Sequence, residues 1–283
     1  MNMLNPKDKV GIVCCSNGIS TSAQITITQL NNTLQKIGLV PIFSNYIYEK
    51  NSVFSGTAKE RAQALMEFYI DSEIKMIFDI SGGDIANQII PYLDFDVIAE
   101  NPKLFWGYSD LTTIINAIYT KTGLSSILYQ VRNLVYDHGE VQQHRFSDTI
   151  FRQKPSLYEF PYKFVQGTHM EGIVVGGNIR CFLKLAGTEF FPDLKGKILF
   201  LEARNGKVPH MITALSQLKM IGVFDQISGI LLGSFTQMEQ DKIYPDIVSL
   251  IQDYAGNLPI AKTQKVGHGT DSYGIIIGKY RAF

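Results

Sequence analysis

The amino-acid sequence predicts an α/β protein, with an N-terminal doubly wound, mostly parallel sheet domain and a smaller C-terminal α/β domain. Short apolar runs alternate with stretches of helical apolar spacing through the first half, which is the pattern of parallel βαβ units. The same alternation resumes in the second half. Residues 133–166 between them are polar and rich in turn formers, so we interpret this stretch as the crossover between domains. The predicted domains are residues 1–150 and 165–283.

The elements of the first half follow one another at short intervals. Turn clusters end the strands, and Gly38 and Gly123 end two helices because glycine adopts the left-handed conformation beyond a helix end without strain. In a doubly wound sheet, ligands bind at the carboxyl ends of the strands. The predicted strands are Lys9–Cys14, Val40–Phe43, Lys75–Ile80, Leu104–Gly107 and Ser126–Tyr129. The predicted helices are Ser22–Ile37, Ala58–Ile70, Ile85–Leu93 and Leu111–Thr122.

The second half repeats this alternation around a glycine turn predicted at Gly176–Gly177. Its strands are predicted from short runs of β-branched and other apolar residues. The predicted strands are Gly172–Val175, Lys197–Leu201, Ile227–Leu232, Ile260–Lys262 and Tyr273–Ile277. The predicted helices are Ile179–Leu185, Val208–Met220 and Tyr244–Tyr254.

The composition excludes several classes of protein. The 283 residues carry 26 Lys and Arg against 26 Asp and Glu, so neither a nucleic-acid partner nor electrostatic docking to a membrane is expected. No apolar stretch is long enough to span a bilayer, and the first residues lack a signal-peptide pattern. The three cysteines have no metal-binding or disulfide-type spacing, which predicts a reducing, cytoplasmic location and no metal site.

Leu104–Thr112 is the most informative segment, because an apolar strand runs through Gly107 and Tyr108 into Ser109 and directly into a helix. This is the setting of a nucleophile elbow, in which a strained strand-to-helix turn exposes the serine hydroxyl. The helix N-terminus also favours developing negative charge there. Leu111 stands where the hydrolase consensus has a second glycine, so the match is partial. The alternative is that Ser109 only caps the helix.

A nucleophilic serine needs a base and a carboxylate that orients the base. Among the five histidines, His268 lies between two glycines in a tight loop, whereas His138 and His144 lie in the polar crossover. Glu202 ends an apolar strand, where a carboxylate would be held firmly and partly desolvated. The alternatives are a turn histidine bonded to nearby backbone and a solvated glutamate paired with Arg204.

Two glycine-containing segments follow predicted strands. Ser81–Asp84 has consecutive glycines, which allow backbone N–H groups to converge on one point as in an oxyanion hole. A phosphate-binding loop is the competing interpretation, but the chain has neither a GxGxxG pattern nor a following Gly-Lys-Ser/Thr here. Gly176–Asn178 is either a similar loop or a helix entry capped by Asn178.

Taken together, these segments resemble the LD-carboxypeptidases, a family of serine peptidases that includes the microcin C immunity peptidases. The resemblance covers essentially the whole chain, in the family's order. The matching segments are Ser81–Gly83, Ile89–Asp94, Asn101–Lys103, Gly107–Thr112, Gly176–Asn178, Phe191–Glu202 and Gly267–Gly269.

The resemblance implies a Ser–His–Glu triad, with Ser109 as nucleophile, His268 as base and Glu202 as the orienting acid. It implies an oxyanion hole made by the backbone N–H groups of Asp110 and Gly83, with the active site between the two domains. It also implies a homodimer without metal or cofactor. The usual substrate of the family is a small peptide, the murein tetrapeptide, which is cut before its terminal D-Ala.

Three features depart from the family pattern. Ala203 and Arg204 follow the glutamate, where an acidic residue is common, and Arg180 stands where a small or apolar residue is common. The chain also ends soon after the histidine motif. The first two departures lie on the expected substrate side. We therefore assign Arg180 and Arg204 to substrate binding, together with Gly82 of the Ser81–Gly83 segment.

The sequence therefore predicts a cytoplasmic serine carboxypeptidase that hydrolyses the L,D-peptide bond before a C-terminal D-Ala in murein tetrapeptides, a step of cell-wall recycling. One alternative is a microcin-immunity-type peptidase that cleaves peptidyl or aminoacyl nucleotides. The other is a non-catalytic small-molecule-binding relative that has kept the cleft, and the intact set of serine, histidine and glutamate argues against it.

Overall fold

The computed structural model describes residues 4–242 and 244–283. Residues 1–3 of the predicted first domain and residue 243 of the predicted second domain lie outside the described residues. The strands are β1 (Lys9–Val13), β2 (Val40–Phe43), β3 (Ile74–Asp79), β4 (Leu104–Gly107), β5 (Ser126–Leu128), β6 (Lys163–Gln166), β7 (Glu171–Asn178), β8 (Ile198–Ala203), β9 (Gly229–Phe235), β10 (Ile260–Lys262), β11 (Ile275–Ile277) and β12 (Tyr280–Ala282). The helices are α1 (Gln24–Ile37), α2 (Ala58–Ile70), α3 (Phe95–Glu100), α4 (Thr112–Thr122), α5 (Gly139–Arg152), α6 (Ile179–Leu183), α7 (Val208–Met220), α8 (Thr236–Asp241) and α9 (Ile247–Ala255).

The first sheet has the strand order β11-β5-β4-β3-β1-β2. Strands β5 to β2 run parallel, and β11, from near the end of the chain, pairs antiparallel with β5. Ile77 and Phe105 pack into the core on one face of this sheet, and Phe78 and Trp106 pack into the core on the other. Strands that are apolar on both faces are typical of a parallel sheet covered by helices on both sides.

The second sheet has the strand order β12-β7-β8-β9-β10-β6. Strands β7 to β10 run parallel, and the edge strands β12 and β6 are antiparallel to their neighbours. All of β8 is buried, which explains its unbroken apolar run up to Glu202. Both sheets therefore have the mostly parallel, α/β character that the sequence predicts.

Helix α4 links the two sheets, because its first turns pack against the end of β7. The Asn116 side chain donates to the Gly176 carbonyl at 2.9 Å and accepts from the Gly176 N–H at 3.0 Å. Thr112 Oγ1 accepts from the Asn178 N–H at 3.0 Å. Gly177 has a φ of +143° and lies so close to Thr112 that a Cβ would overlap it. These contacts fix the start of α4 to the second sheet.

Helix α5 lies inside the stretch that the sequence analysis interprets as an irregular crossover. The buried positions Gln142, Phe146 and Ile150 recur every four residues, which is a helical period. Because a glutamine occupies one of these three positions, apolar spacing alone does not predict the helix. Its amide is buried with hydrogen bonds to the backbone of Thr270 and Ser272, so a polar residue is stable there.

Two further segments differ from the prediction. Gly176 and Gly177 do not form a turn but lie within β7, where their positive φ angles and the absence of a Cβ permit close approach by β8 and α4. The predicted helix at Ile85–Leu93 is a 3-10 helix over Ala86–Tyr92, and Pro91 inside it removes a backbone donor that an α-helix would use. In the part of the chain that the structure describes, no helix is both long and apolar enough to cross a membrane.

Candidate active site

Ser109 lies on a strained turn between β4 and α4. Its φ is +57°, a left-handed conformation that costs a non-glycine residue about 1–3 kcal/mol. Ser109–Leu111 forms a single 3-10 turn that begins after Tyr108, and the turn has no side-chain cap. The Ser109 hydroxyl therefore does not act as a helix cap and lines a cleft instead. This strand, strained serine and helix have the form of a nucleophile elbow.

The Ser109 hydroxyl is the first member of a chain of hydrogen bonds. His268 Nε2 lies 3.1 Å from Ser109 Oγ, and His268 Nδ1 lies 2.7 Å from Glu202 Oε2. Because a carboxylate only accepts, the proton on the imidazole belongs on Nδ1, which leaves Nε2 as acceptor for the hydroxyl. The three residues that the sequence analysis singles out thus lie together, in the order that a serine nucleophile and its base require.

Glu202 is fully buried, so it is not the solvated residue of the alternative interpretation. Its Oε1 accepts from Asn178 Nδ2 at 2.9 Å, and the Asn178 side-chain oxygen accepts in turn from the first turn of α6. The Tyr108 ring packs edge-on against His268, with 4.9 Å between ring centroids. Burial, together with the nearby charge of Glu202, raises the pKa of the Tyr108 hydroxyl well above its ordinary value. The carboxylate and the imidazole are therefore both fixed in orientation.

A buried carboxylate shapes the loop after β3. Asp79 Oδ1 accepts from the Ser81 N–H at 2.7 Å and from the Ser81 hydroxyl at 2.5 Å, and Oδ2 accepts from the Cys15 N–H at 2.7 Å. Burial raises the pKa of Asp79, and these donors act in the opposite direction. Ser81 Oγ also accepts from the Ser16 N–H at 3.0 Å. The ends of β1 and β3 are thereby tied together beside Ser109.

The rest of this loop is held by Asn17. Its N–H donates to the Gly82 carbonyl at 3.2 Å, and its side-chain oxygen accepts from the Asp84 N–H at 3.0 Å. Gly83 between them has a φ of +127°, and a Cβ there would overlap the Asn17 side chain. Only glycine therefore fits this position without rearrangement.

Two backbone N–H groups beside Ser109 have no acceptor among residues 4–242 and 244–283. One belongs to Gly83, which lines the cleft, and the other to Asp110, the second residue of the turn. The first N–H groups of a helical turn have no partner within the turn, and the turn dipole favours negative charge near them. These are the two donors that the sequence analysis assigns to an oxyanion hole.

The Asp110 side chain holds the strained turn at Ser109 in place through three contacts. It is fully buried and accepts from Ser16 Oγ at 2.7 Å and from the Ala86 N–H at 2.8 Å. Its second oxygen pairs with Lys184 Nζ at 2.5 Å, and that side chain follows α6 in the second half of the chain. Three separate segments are therefore tied to the residue that follows Ser109.

The cleft above Ser109 has a volume of about 940 Å³ and is lined by both halves of the chain. Polar groups predominate in its lining, and the charged side chains are Arg132, Arg204 and Asp241, with His268 at its base. The sequence analysis did not select Arg132. A usable signal was present, because Gln130 and Arg132 follow β5, at the same sheet edge that carries Ser109.

The three residues assigned to substrate binding have different positions. Gly82 and Arg204 line the cleft, and Arg204 is exposed. Arg180 does not line this cleft. It forms an ion pair with Asp84, donates to the Gly83 carbonyl at 3.3 Å and lines a neighbouring cavity. Because its charge is already engaged by Asp84, its contact is with the loop rather than with the cleft.

The three cysteines are free, but none of them joins a cluster of metal ligands among the described residues. Within the described residues there is no group of three or more His, Cys, Asp or Glu side chains that could hold a metal ion. Cys14 and Cys15 are buried, and burial raises the pKa of both thiols well above the ordinary value. A thiol that stays protonated is a poor nucleophile, so chemistry at this site falls to Ser109.

A serine, a histidine and a glutamate in one hydrogen-bonded chain, beside free backbone N–H groups, form a site of the serine-hydrolase type. The chain belongs to the LD-carboxypeptidase family. Residues 10–129 match the N-terminal domain of that family and residues 171–281 match its C-terminal domain. Members of this family are peptidases of the serine carboxypeptidase class.

Individual relatives include proteins named for microcin immunity and proteins named for murein peptide cleavage. The Escherichia coli protein named microcin C7 self-immunity protein MccF is 31% identical over 254 residues, covering 76% of this chain and 73% of that protein. A Bacillus subtilis (strain 168) protein named probable murein peptide carboxypeptidase is 28% identical over 288 residues, covering 97% and 88%. The solved structure of MccF with glutamyl sulfamoyl guanosine has a TM-score of 0.89 at 25% identity, covering 99% of this chain and 94% of that chain. The predicted two-domain α/β fold is confirmed by this match.

Proposed function

We propose that this protein is a serine carboxypeptidase that hydrolyses the L,D-peptide bond before a C-terminal D-Ala in murein tetrapeptides. The observation that carries the proposal is the continuous chain of hydrogen bonds from Ser109 through His268 to the buried Glu202. Family membership supports the peptidase class, and the relatives named as murein peptide carboxypeptidases support the substrate.

In the first half of the reaction, Ser109 Oγ attacks the carbonyl carbon of the residue that precedes D-Ala. His268 Nε2 takes the hydroxyl proton, and the imidazolium that forms is stabilised by Glu202 at Nδ1. The tetrahedral oxyanion is stabilised by the N–H groups of Gly83 and Asp110. His268 then returns the proton to the leaving nitrogen, the carbon–nitrogen bond breaks, and D-Ala departs.

In the second half, a water molecule gives a proton to His268 and attacks the acyl-enzyme carbonyl. The same two N–H groups donate hydrogen bonds to the second oxyanion. His268 protonates Ser109 Oγ as the ester bond breaks, so the tripeptide is released and the site returns to its starting state.

A second candidate is the cleavage of an aminoacyl or peptidyl nucleotide. The relative named as a microcin C7 self-immunity protein is 31% identical, and a solved structure of MccF contains aspartyl sulfamoyl adenosine. The cleft of about 940 Å³ has room for a nucleotide as well as a peptide. Both candidates use the same serine acyl-transfer chemistry, on a peptide bond in the first case and on the acyl–nitrogen bond of an acyl sulfamoyl nucleotide in the second.

Two assays on the purified protein separate these functions. The proposal expects D-Ala release from a murein tetrapeptide, with no release by Ser109→Ala. Under the second candidate, the protein instead releases aspartate from aspartyl sulfamoyl adenosine. Labelling of Ser109 by a fluorophosphonate, read as intact mass, tests the chemistry independently of either substrate. If Ser109 is labelled but neither substrate is cleaved, both substrate proposals are rejected and the serine mechanism stands.

We also propose a cytoplasmic role in cell-wall recycling and a homodimeric state. The buried, unpaired cysteines support a reducing compartment. The dimer rests on the family resemblance alone, and light scattering coupled to size-exclusion chromatography tests it. A monomer at working concentration would contradict it.

A further inference from the structure

We propose that Arg132 binds the C-terminal carboxylate of the substrate and so makes the enzyme a carboxypeptidase rather than an endopeptidase. This inference rests on the proposed function, because it assigns one end of that substrate to one side chain. A carboxypeptidase must recognise a free carboxylate next to the scissile bond, and burying a carboxylate without a partner is costly. The cleft must therefore contain a cation that the protein itself leaves unpaired.

Arg132 lies on the same edge of the first sheet as Ser109. Strands β4 and β5 are parallel neighbours, with Gly107 opposite Leu128, and the chain continues from these two positions to Ser109 and Arg132 respectively. Both side chains line the cleft. Consecutive Cα atoms are about 3.8 Å apart, so the substrate carboxylate lies within one residue of the carbonyl that Ser109 attacks.

The backbone of Arg132 is connected to the proposed oxyanion loop through Gln130. Gln130 Nε2 donates to the Ser81 carbonyl at 3.2 Å, and Gln130 Oε1 accepts from the Arg132 N–H at 3.2 Å. One side chain therefore ties the backbone of the loop that would hold the oxyanion to the backbone of the arginine that would hold the carboxylate.

The guanidinium of Arg132 has no partner in the described part of the chain. Its Nε is buried without a hydrogen bond, and the side chain forms no ion pair with any described residue. Two other arginines near the site are engaged through their terminal nitrogens. The buried Arg61, whose Nε also lacks a partner, donates to the Cys15 and Ser16 carbonyls, and the exposed Arg180 pairs with Asp84. Arg132 differs in that no nitrogen of its guanidinium has a partner among the described residues, and because it lines the cleft beside Ser109 it is free to bind a ligand.

A carboxylate is the ligand that fits this group. The planar guanidinium presents paired donors that match the two oxygens of a carboxylate, and such charge-assisted bonds are stronger than neutral ones. The other arginine of the cleft, Arg204, is exposed, so water already satisfies its donors. Arg132 is therefore the better candidate for this carboxylate, and Arg204 is the competing candidate that the test separates from it.

The test compares two ligands that differ only in their last group. The dipeptide L-Ala-D-Ala and its C-terminal carboxamide are titrated by calorimetry into the Ser109→Ala protein, which binds without turnover. The titrations are repeated with Arg132→Gln and with Arg204→Gln added. We expect the protein with Arg132 to prefer the carboxylate by about 50-fold, and Arg132→Gln to abolish that preference. Arg204→Gln should keep most of it, and Arg132→Lys should restore only part because lysine does not bind two oxygens in parallel.

The proposal is overturned if the preference for carboxylate over carboxamide is the same with and without Arg132, or if only Arg204→Gln removes it. This readout does not depend on turnover. If the wild-type protein cleaves no tetrapeptide but the preference disappears in Arg132→Gln, the proposed substrate fails while the carboxylate site stands. Thermal unfolding of each variant is compared with that of Ser109→Ala. Equal unfolding temperatures show that a change in the ratio of carboxylate to carboxamide affinity reflects binding and not loss of fold.

Discussion

At the scale of single residues, Ser109 combines backbone strain with a paired hydroxyl. Its positive φ directs the side chain away from the helix, and the hydroxyl meets His268 rather than a backbone N–H. A residue held in a sparsely populated conformation persists only when its surroundings fix it, and here the buried Asp110 side chain does so. In the proposed mechanism, this strained conformation exposes the serine hydroxyl to the substrate.

The three residues of the hydrogen-bonded chain should act as a unit. We expect Ser109→Ala and His268→Ala each to lower kcat by about 10⁶-fold, and the double variant to be little worse than either. Glu202→Gln should cost about 10⁴-fold, since it keeps the shape but removes the charge that stabilises the imidazolium. Steady-state kinetics on the tetrapeptide measures these losses. Losses that add in the double variant, or full activity in Ser109→Ala, would argue against the triad.

Substitution of Gly83 offers a second test, for which the neighbouring Gly82 supplies the control variant. Gly83→Ala should lower kcat by about 10²- to 10³-fold, since the new methyl group strikes Asn17 and displaces the N–H that meets the oxyanion. At Gly82 a Cβ meets nothing within 4 Å, so Gly82→Ala should lose much less. Equal losses in the two variants would remove Gly83 from the oxyanion hole.

At the scale of elements, helix α4 connects the serine to the second sheet. Asn116→Ala removes both hydrogen bonds to Gly176 and leaves two buried backbone groups without that partner. We expect a loss of about 3 kcal/mol in the free energy of unfolding, measured by urea titration. Asn32→Ala, an exposed asparagine on α1, is the control and should change stability by less than about 0.5 kcal/mol. A result for Asn116→Ala as small as the control would show that α4 does not hold the halves together.

The elements differ in how far their sequences predict them. Strand β8 and the Ser109 turn follow from local patterns, because an apolar run and a strand–Gly–x–Ser–helix order are visible in a few residues. Helix α5 does not, because its buried face includes Gln142, whose partners come from residues 270 and 272. The apolar pattern predicts a strand near Tyr273–Ile277, but not that β11 joins the first sheet, since that pairing depends on contacts far along the chain.

The candidate site likewise combines residues that local sequence patterns predict with placements that depend on contacts between distant parts of the chain. Ser109, His268 and Glu202 are found from local motifs and from the family resemblance, whereas their spacing depends on how two sheets meet. The placements of Arg180 and Arg132 could not be predicted, because the pairing of Arg180 with Asp84 and the isolation of Arg132 are properties of the folded interface. Charge type alone does not say which arginine is already neutralised.

At the scale of the whole molecule, three ion pairs of described residues cross between the halves, and two of them compare a buried pair with an exposed one. Lys184 pairs with the fully buried Asp110, whereas Lys121 pairs with the exposed Glu189. We expect Lys184→Met to lower the free energy of unfolding by about 3 kcal/mol, because it leaves a buried carboxylate without its cation. Lys121→Met should cost less than about 1 kcal/mol, since water screens an exposed pair.

Activity separates the two variants further. Because Asp110 also holds the elbow, Lys184→Met should lower kcat while Lys121→Met should leave it near the wild-type value. Asp110→Asn in the Lys184→Met background should recover part of the stability, since the unpaired charge is gone. Urea unfolding and tetrapeptide kinetics check these expectations on the wild-type protein, Lys184→Met, Lys121→Met and the Asp110→Asn, Lys184→Met double variant. Equal effects of the two lysine variants would mean that the buried pair is not what couples the halves.

The stereochemistry of the leaving residue tests the central claim most directly. The oxyanion must face the Gly83 and Asp110 N–H groups while the leaving nitrogen faces His268, which fixes three directions about the scissile carbon. Inverting the terminal Cα then exchanges the methyl and carboxylate positions and leaves the carboxylate without its donors. We therefore expect kcat/KM for a tetrapeptide ending in D-Ala to exceed that for its L-Ala epimer by about a thousandfold or more. Equal values for the two epimers would contradict the assignment as an L,D-carboxypeptidase.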